Sequence, residues 1–259
     1  MSQQEGGQRL IQAVQRAIDI LECFDSPDME LPLGELSSKV DLNKSTAHGI
    51  LATLVHNGYI HQNPETGRYK LGPRFLEKSL QMLGKMSVYQ TVHPHLVRIT
   101  EEYQQTSHLF LYVNEILFCA DKVEAAPFVV LSSRIGCQLP FHATASGKVV
   151  LANVQHDTSQ RILSELQFTR FTPKTICSKD VLMANLFAVR VKGYGVEDEE
   201  IEMGTYSIAV PIWNYQGLLG TISVSGMKNR MITIEDDIIR DLMEAAASIS
   251  REFGYIVPT

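Results

Sequence analysis

From Leu42 to Ile60 the chain reads LNKSTAHGILATLVHNGYI, with its hydrogen-bond donors gathered at the front. Ala47, Ile50, Leu51 and Leu54 fall at i, i+3, i+4 and i+7, the spacing of a helix with one inward face. Asn43 stands where an N-cap would, its side chain placed to accept a backbone N–H of the first turn. Ser45, His48, Gly49, Ala52, Thr53 and His56 then point outward. A helix N-terminus attracts anions, because its first N–H groups lack partners and its dipole is positive there. Lys44, Ser45 and Thr46 add donors at that end, so the chemistry on offer is phosphate contact, with His48 and the gap over Gly49 nearest the bases. Most polar helix faces are merely solvated. Here no acidic residue occurs from Asn43 to Asn63, and the basic pair Arg68 and Lys70 follows on a strand-like run. Both facts favour double-stranded DNA as the partner of this surface.

A second set of polar side chains sits on strand-like runs near the C-terminus. In GTISVSG, alternation puts Ser223 and Ser225 on one face and Ile222 and Val224 on the other. In TYSIAVPI, Thr205 and Ser207 share a face. Small hydroxyls turned inward would line a compact polar pocket; turned outward they would be ordinary solvated sheet.

Enzyme signatures fail on spacing. ATASGKVV lacks the P-loop pattern, since His142 stands where its first Gly belongs and Val149 follows Lys148. A nucleophile elbow needs Gly two residues before Ser146, and Thr144 is there. His93-Pro94-His95 has no carboxylate or Cys at ligand spacing, so no metal and no cofactor are expected. Cys119 and Cys137 read as buried small hydrophobes.

The totals set the frame. With 259 residues the chain can hold one large or two ordinary domains. No apolar run approaches the roughly 18 residues of a membrane span, and MSQQEGGQRL has no apolar signal region. The four cysteines form no C-x-x-C, and the cell interior is the default, so a cytoplasmic location with no membrane partner is expected. The net charge of −6 is uneven: residues 31–80 carry six basic and four acidic side chains. The run Glu197, Asp198, Glu199, Glu200, Glu202 reads as a solvated charge cluster apart from Glu197.

The elements that must position these residues follow from periodicity. Val14, Ala17, Ile18, Leu21 and Phe24 predict an amphipathic helix over 9–24, broken by Asp25-Ser26-Pro27-Asp28. Leu33, Leu36 and Val40 predict a short second helix, and Asn57-Gly58 ends the third. Strands at 59–62 and 68–71 flank the turn Asn63–Gly67, making a hairpin directly after a helix-turn-helix: a winged helix. Pro73 opens a further helix to about 86. Beyond it come a helix at 88–104, strands at 107–113 and 116–123, the run VVLSSRIG, a helix at 144–153, and shorter helices to 192. Strands at 205–213 and 218–226 precede a last helix over 234–253, with Thr233 as its N-cap. Antiparallel hairpins among helices mean α+β, not a doubly wound parallel sheet.

At this level of detail the chain resembles the IclR family of bacterial transcriptional regulators, over nearly its whole length. LNKSTAHGILATLVHNGYI and ETGRYKLGPRFLE look like the family's recognition helix and wing. SRIGCQLPFHATASGKVVLA, GYGVEDEEIEMGTYSIAVPI and GTISVSG look like its effector domain, in the right order. The resemblance implies a two-domain protein: a mainly α winged helix-turn-helix at 1–72, a linker helix at 73–87, and an α+β, GAF-like effector domain with an antiparallel sheet at 88–259. It implies no catalysis, but regulation: DNA contact through Lys44, Ser45, Thr46, His48, Gly49, Thr53, Arg68 and Lys70. It also implies an effector, a small carboxylate, sugar acid or aromatic acid, at Gly136, Ala145, Glu197, Ser207, Ser223 and Ser225. The expected role is repression of a catabolic operon by a homodimer or dimer of dimers, with an activator of the same type as the alternative. An enzyme carrying an accessory helix-turn-helix is the rival from another class. Two departures stand out. Gly49 replaces the Arg that usually follows the recognition-helix His, and Tyr206-Ser207 replaces an Arg-Cys pair.

Overall fold

Around Ile20, Leu36 and Leu51, all without exposed surface, the N-terminal elements find their shared core. The computed structural model describes residues 11–24, 29–83, 88–125 and 133–255. The break at Asp25–Asp28, the first part of VVLSSRIG and the junction at 84–87 lie outside the described residues. The chain forms two compact units, Met1–Met86 and Ser87–Thr259.

In the first unit, α1 (Gln12–Leu21), α2 (Leu33–Lys39) and α3 (Lys44–His56) pack on a hairpin of β1 (Ile60–Gln62) and β2 (Tyr69–Leu71). Leu31 adds a bridge to Tyr69, so the wing has a third edge. Asp41 takes the left-handed conformation, φ +49°, in the tight turn from α2 to α3. Asn43 caps α3 by accepting from the Thr46 N–H at 2.8 Å, and Gly58 at φ +77° turns the chain out of it. Helix α4 (Arg74–Leu83) follows. The amphipathic face expected of the first helix is only partly used. Ile20 and Phe24 are buried, but Ile11, Val14 and Ile18 are 70%, 55% and 44% exposed. Among the described residues of this unit, none covers that side.

The second unit is one five-stranded sheet between two layers of helix. Its strands are β3 (Thr106–Val113), β4 (Ile116–Val123), β5 (Gly195–Asp198), β6 (Thr205–Asn214) and β7 (Gly217–Met227), in the order β4-β3-β7-β6-β5. Every neighbouring pair is antiparallel. Helix α5 (Val88–Tyr103) and helix α10 (Glu235–Glu252) cover one face through Leu96, Ile99, Ile238, Leu242 and Ile249, against Ile208, Val210, Ile222 and Val224. On the other face lie α6 (Ala145–Asn153), α7 (His156–Glu165) and α8 (Lys179–Lys192). A short α9 (Lys228–Met231) and a 3-10 turn (Ile232–Ile234) precede α10.

Thr233 is therefore not the cap of the last helix: its hydroxyl donates to the Arg230 carbonyl within that extra turn. The start of α10 carries Glu235, Asp236 and Asp237 instead, whose charges suit its positive end. The acidic run is not simply solvated either. Glu197 belongs to β5, and Glu200 accepts from the fully buried Lys148 ammonium at 2.6 Å. Burial of Glu200 needs that partner, because an unpaired buried charge is costly. Glu199 accepts from Lys174 and Lys228, which hold its carboxyl down at about 2.

Candidate nucleic-acid interface and effector cavity

On α3, Ala47 and Leu51 are buried, which turns Ser45, His48, Gly49 and Thr53 to the surface together. Lys44 is exposed and Thr46 half-buried, with its N–H committed to Asn43. The Thr53 hydroxyl donates to the Gly49 carbonyl at 3.0 Å, so only its lone pairs remain for a partner. A Cβ at Gly49 would meet nothing within 4 Å. The wing brings Arg68 and Lys70 to either side of the buried Tyr69. Both cations lean on Glu30: Arg68 donates to its carbonyl at 3.2 Å, and the Lys70 ammonium lies 3.8 Å from its carboxylate. His61 pairs with Lys70 across the hairpin and is exposed, a donor on the wing that spacing alone did not single out.

In the second unit, the α6 side of the sheet holds a cavity of about 260 Å³. Ala145, Glu197, Ser207, Ser223 and Ser225 line it together. Gly136 does not; it takes φ +86° in the turn before Cys137 and donates its N–H to the Cys119 carbonyl. Cys119 is fully buried and its thiol is pushed up to about 12 by burial, while Cys137 is half-buried, packing beside the Phe110, Leu117 and Cys119 core and lining the cavity as well. The floor alternates as strands must: Ile222 and Val224 enter the α5–α10 core, while Ser223 and Ser225 turn the other way, only 2% and 8% exposed. Register places His108 opposite Ser223, and Ser207 opposite both Ser225 and Glu197. Thr205, on the same side as Ser207, completes that edge.

Electrostatically the cavity has the acids Glu197 and Glu202 and, among the described residues, no Lys or Arg on its wall. Glu197 accepts from the N–H groups of Glu200 at 2.6 Å and Ile201 at 3.1 Å, and from Ser207 at 3.1 Å. Burial raises its pKa, and those three donors oppose the rise. His108 is 1% exposed and pulled down to about 3, first by burial and then by the nearby Lys122, so it is neutral. Its Nε2 meets the Ser133 hydroxyl at 2.8 Å, while Nδ1 is buried without a partner among the described residues. Thr144 caps α6 by accepting from Gly147, and the N–H groups of Ala145 and Ser146 at the cavity wall have no backbone acceptor among the described residues. Among the described residues, no side-chain hydrogen bond engages Ser146, Ser223 or Ser225. Tyr206 points away, its hydroxyl bonded to Glu235 at 2.8 Å in the α10 layer, so the cation it replaces would not have faced this cavity.

The family profile for the IclR helix-turn-helix domain matches residues 13–64, and that for the bacterial transcriptional regulator IclR C-terminal region matches residues 80–251. This chain belongs to the IclR family. It is 36% identical to the HTH-type transcriptional regulator XynR of Escherichia coli, over 95% of this chain and 98% of that protein. It is 26% identical to the transcriptional repressor IclR of Escherichia coli, over 94% and 90% respectively. The crystal structure of the Thermotoga maritima IclR superposes with a TM-score of 0.76 at 28% identity, covering 93% of this chain and 98% of that one. As an IclR-family member the chain is an effector-binding, DNA-binding transcriptional regulator, with a helix-turn-helix unit followed by an α+β effector unit. Among its described residues no helix is long and apolar enough to cross a membrane.

Proposed function

We propose that this regulator is a cytoplasmic repressor of a catabolic operon, released from its operator by a small oxygen-rich acid bound in the cavity of the second unit. It acts by binding and not by turnover. The observation that carries the reading is the cavity itself: about 260 Å³, partly open, and lined by the Ser223 and Ser225 hydroxyls, which make no side-chain hydrogen bond among the described residues. That volume lies below the usual range for drug-sized ligands and suits a small molecule. With no Lys or Arg on the wall among the described residues, the carboxylate belongs at the Ala145 and Ser146 N–H groups, where the α6 dipole favours negative charge. Ser223 and Ser225 then serve the ligand's other oxygens, and Glu197 shapes the wall opposite.

In the first unit, residues 1–72 read DNA: the N-terminal turns of α3 enter the major groove, with Lys44, Ser45 and Thr46 on phosphate and with His48 and the gap over Gly49 nearest the bases. Arg68 and Lys70 on the wing meet the backbone. Residues 73–87 link this reader to the effector domain at 88–259. A two-fold operator requires two readers, and the bare apolar side of α1 at Ile11, Val14 and Ile18 supports pairing of first units into a homodimer. The sign of regulation rests on a relative that is itself a repressor. The test is retardation of the DNA upstream of the regulated operon, with and without a panel of small carboxylic, sugar and aromatic acids. Retention without acid and release by one of them is the expected result. No retention of any upstream DNA would overturn the reading.

A further inference from the structure

Gly136 and Cys137 stand together opposite Cys119. The Cys119 N–H donates to the Cys137 carbonyl at 3.0 Å, and the Cys119 carbonyl accepts from the Gly136 N–H at 2.7 Å. Gly136 takes φ +86°, and the Cys137 N–H closes the turn onto the Arg134 carbonyl at 3.0 Å. Two residues facing one, the first a left-handed glycine, make a β-bulge. The pairing then continues: Gln138 bridges Phe118, and the Leu139 N–H donates to the Leu117 carbonyl at 2.8 Å. Hydrogen-bonded partners across such a ladder have Cα atoms about 5.5 Å apart, which is also a usual span for a disulfide. Both cysteine side chains pack with Phe110 and Leu117, so they lie on the same side of the ladder, and both are free thiols.

The two sulfurs are unequal. Cys119 has no exposed surface, and its thiol leans on the Asp121 carbonyl at 3.6 Å. Burial first, and the neighbouring Cys137 second, push that thiol up to about 12. Cys137 is half-buried on the wall of the partly open cavity, and its Sγ accepts the Arg134 N–H at 3.4 Å. A donor to sulfur favours the thiolate, and the thiolate is the form that attacks.

We propose that Cys119 and Cys137 are a redox pair that a hydroperoxide converts to a disulfide, with Cys137 attacking and Cys119 resolving. The Cys137 sulfur takes one peroxide oxygen as the O–O bond breaks, and the other oxygen leaves as water, or as the alcohol of an organic hydroperoxide. The Cys119 sulfur then displaces the new hydroxyl: the S–S bond forms, the S–O bond breaks, and the hydroxyl leaves as water with the Cys119 proton. The two thiols lose two electrons and the hydroperoxide gains them. The bond draws the Cys137 sulfur off the cavity wall and ties the neighbouring wall residues Gln138, Leu139 and Pro140 to β4. Oxidation is thereby a second input to the effector unit. That consequence rests on the effector role proposed above, whereas the thiol chemistry does not.

The test is a peptide map of the full-length chain after a slight excess of hydrogen peroxide, alkylated and digested with trypsin without reductant. Cys119 falls in the peptide Ile99–Lys122 and Cys137 in Ile135–Lys148. The expected result is these two peptides joined by a bond that a reductant releases. Peptides left apart, as a pair kept only for packing would leave them, or joined instead to Cys23 or Cys177, would overturn the proposal. A second arm assigns the roles with dimedone, which traps sulfenic acid. Cys119→Ala should label at Cys137, and Cys137→Ser should leave Cys119 unlabelled. The reverse pattern contradicts the assignment. The map of the parent needs neither variant to fold, and no effector enters either arm, so the outcome is separate from that of the release assay.

Discussion

The Ser207 hydroxyl donates to Oε2 of Glu197 at 3.1 Å, while Oε1 of the same carboxylate takes the Glu200 and Ile201 N–H groups. Glu197 thus works first as a clamp on the β5–β6 turn and only then as a wall of the cavity. Glu197→Ala should leave two buried N–H groups without an acceptor, at about 1–3 kcal/mol each, and lower the urea midpoint. Glu197→Gln keeps the acceptor oxygen and removes the charge facing an anionic ligand. Its affinity for the acid should therefore hold or rise in calorimetry. A loss as large as that of the alanine variant would mean the charge itself is what the ligand needs.

His108 gives the effector unit a pH dependence. Its folded pKa of about 3 lies below the ordinary 6.5, so below pH 6.5 the unfolded chain takes up a proton that the folded chain refuses. Stability should then fall as pH drops from 6.5 towards 3, by about 1.4 kcal/mol per pH unit from this group. Trp213, the single tryptophan, reports unfolding of this unit by fluorescence. In His108→Gln the acid-side slope should be shallower by one proton; an equal slope would show that another group carries it.

On the recognition helix, Ser45→Ala or His48→Ala should weaken specific operator binding by about 1–3 kcal/mol with the fold unchanged. Gly49→Ala should stabilise the helix by about 1 kcal/mol, since the added methyl meets nothing within 4 Å. Anisotropy titrations and thermal melts separate the two effects. Parent-like operator binding by both the serine and histidine variants would remove α3 as the reader.

The wing carries its own restraint. Glu30 holds Arg68 through its carbonyl and Lys70 through its carboxylate, in competition with phosphate. Neutralising Arg68 or Lys70 should weaken binding to all DNA sequences alike and lower the salt slope by about one unit. Glu30→Gln should do the reverse and tighten binding without changing sequence preference. A sequence-selective loss at Arg68 would instead make it a base reader.

Much of this architecture is written locally. The inward face of α3, its Asn43 cap and the Asn57-Gly58 exit are all short-range patterns, and the alternation of Ser223 and Ser225 with Ile222 and Val224 placed one wall of the cavity. What local pattern could not show is what lies opposite. His108 joins Ser223 only because β3 and β7 are neighbours in the sheet. Strand β5 hides inside an acidic run, since Glu197 is turned inward by backbone donors and Glu200 by Lys148 from another helix. Val14 and Ile18 show the converse: periodicity finds an apolar face, but not whether its own chain covers it.

The most direct test of the account is Ser223→Val, which replaces a cavity hydroxyl that is 2% exposed with two methyl groups. Coupling requires that the ligand contact the two states of the protein differently. Calorimetry with the releasing acid, paired with operator release on the same preparation, should show the effect of the acid on DNA binding lost and binding in its absence unchanged. Parent-like affinity for the acid and parent-like release would take Ser223 out of the site and, with it, the cavity out of the control of DNA binding.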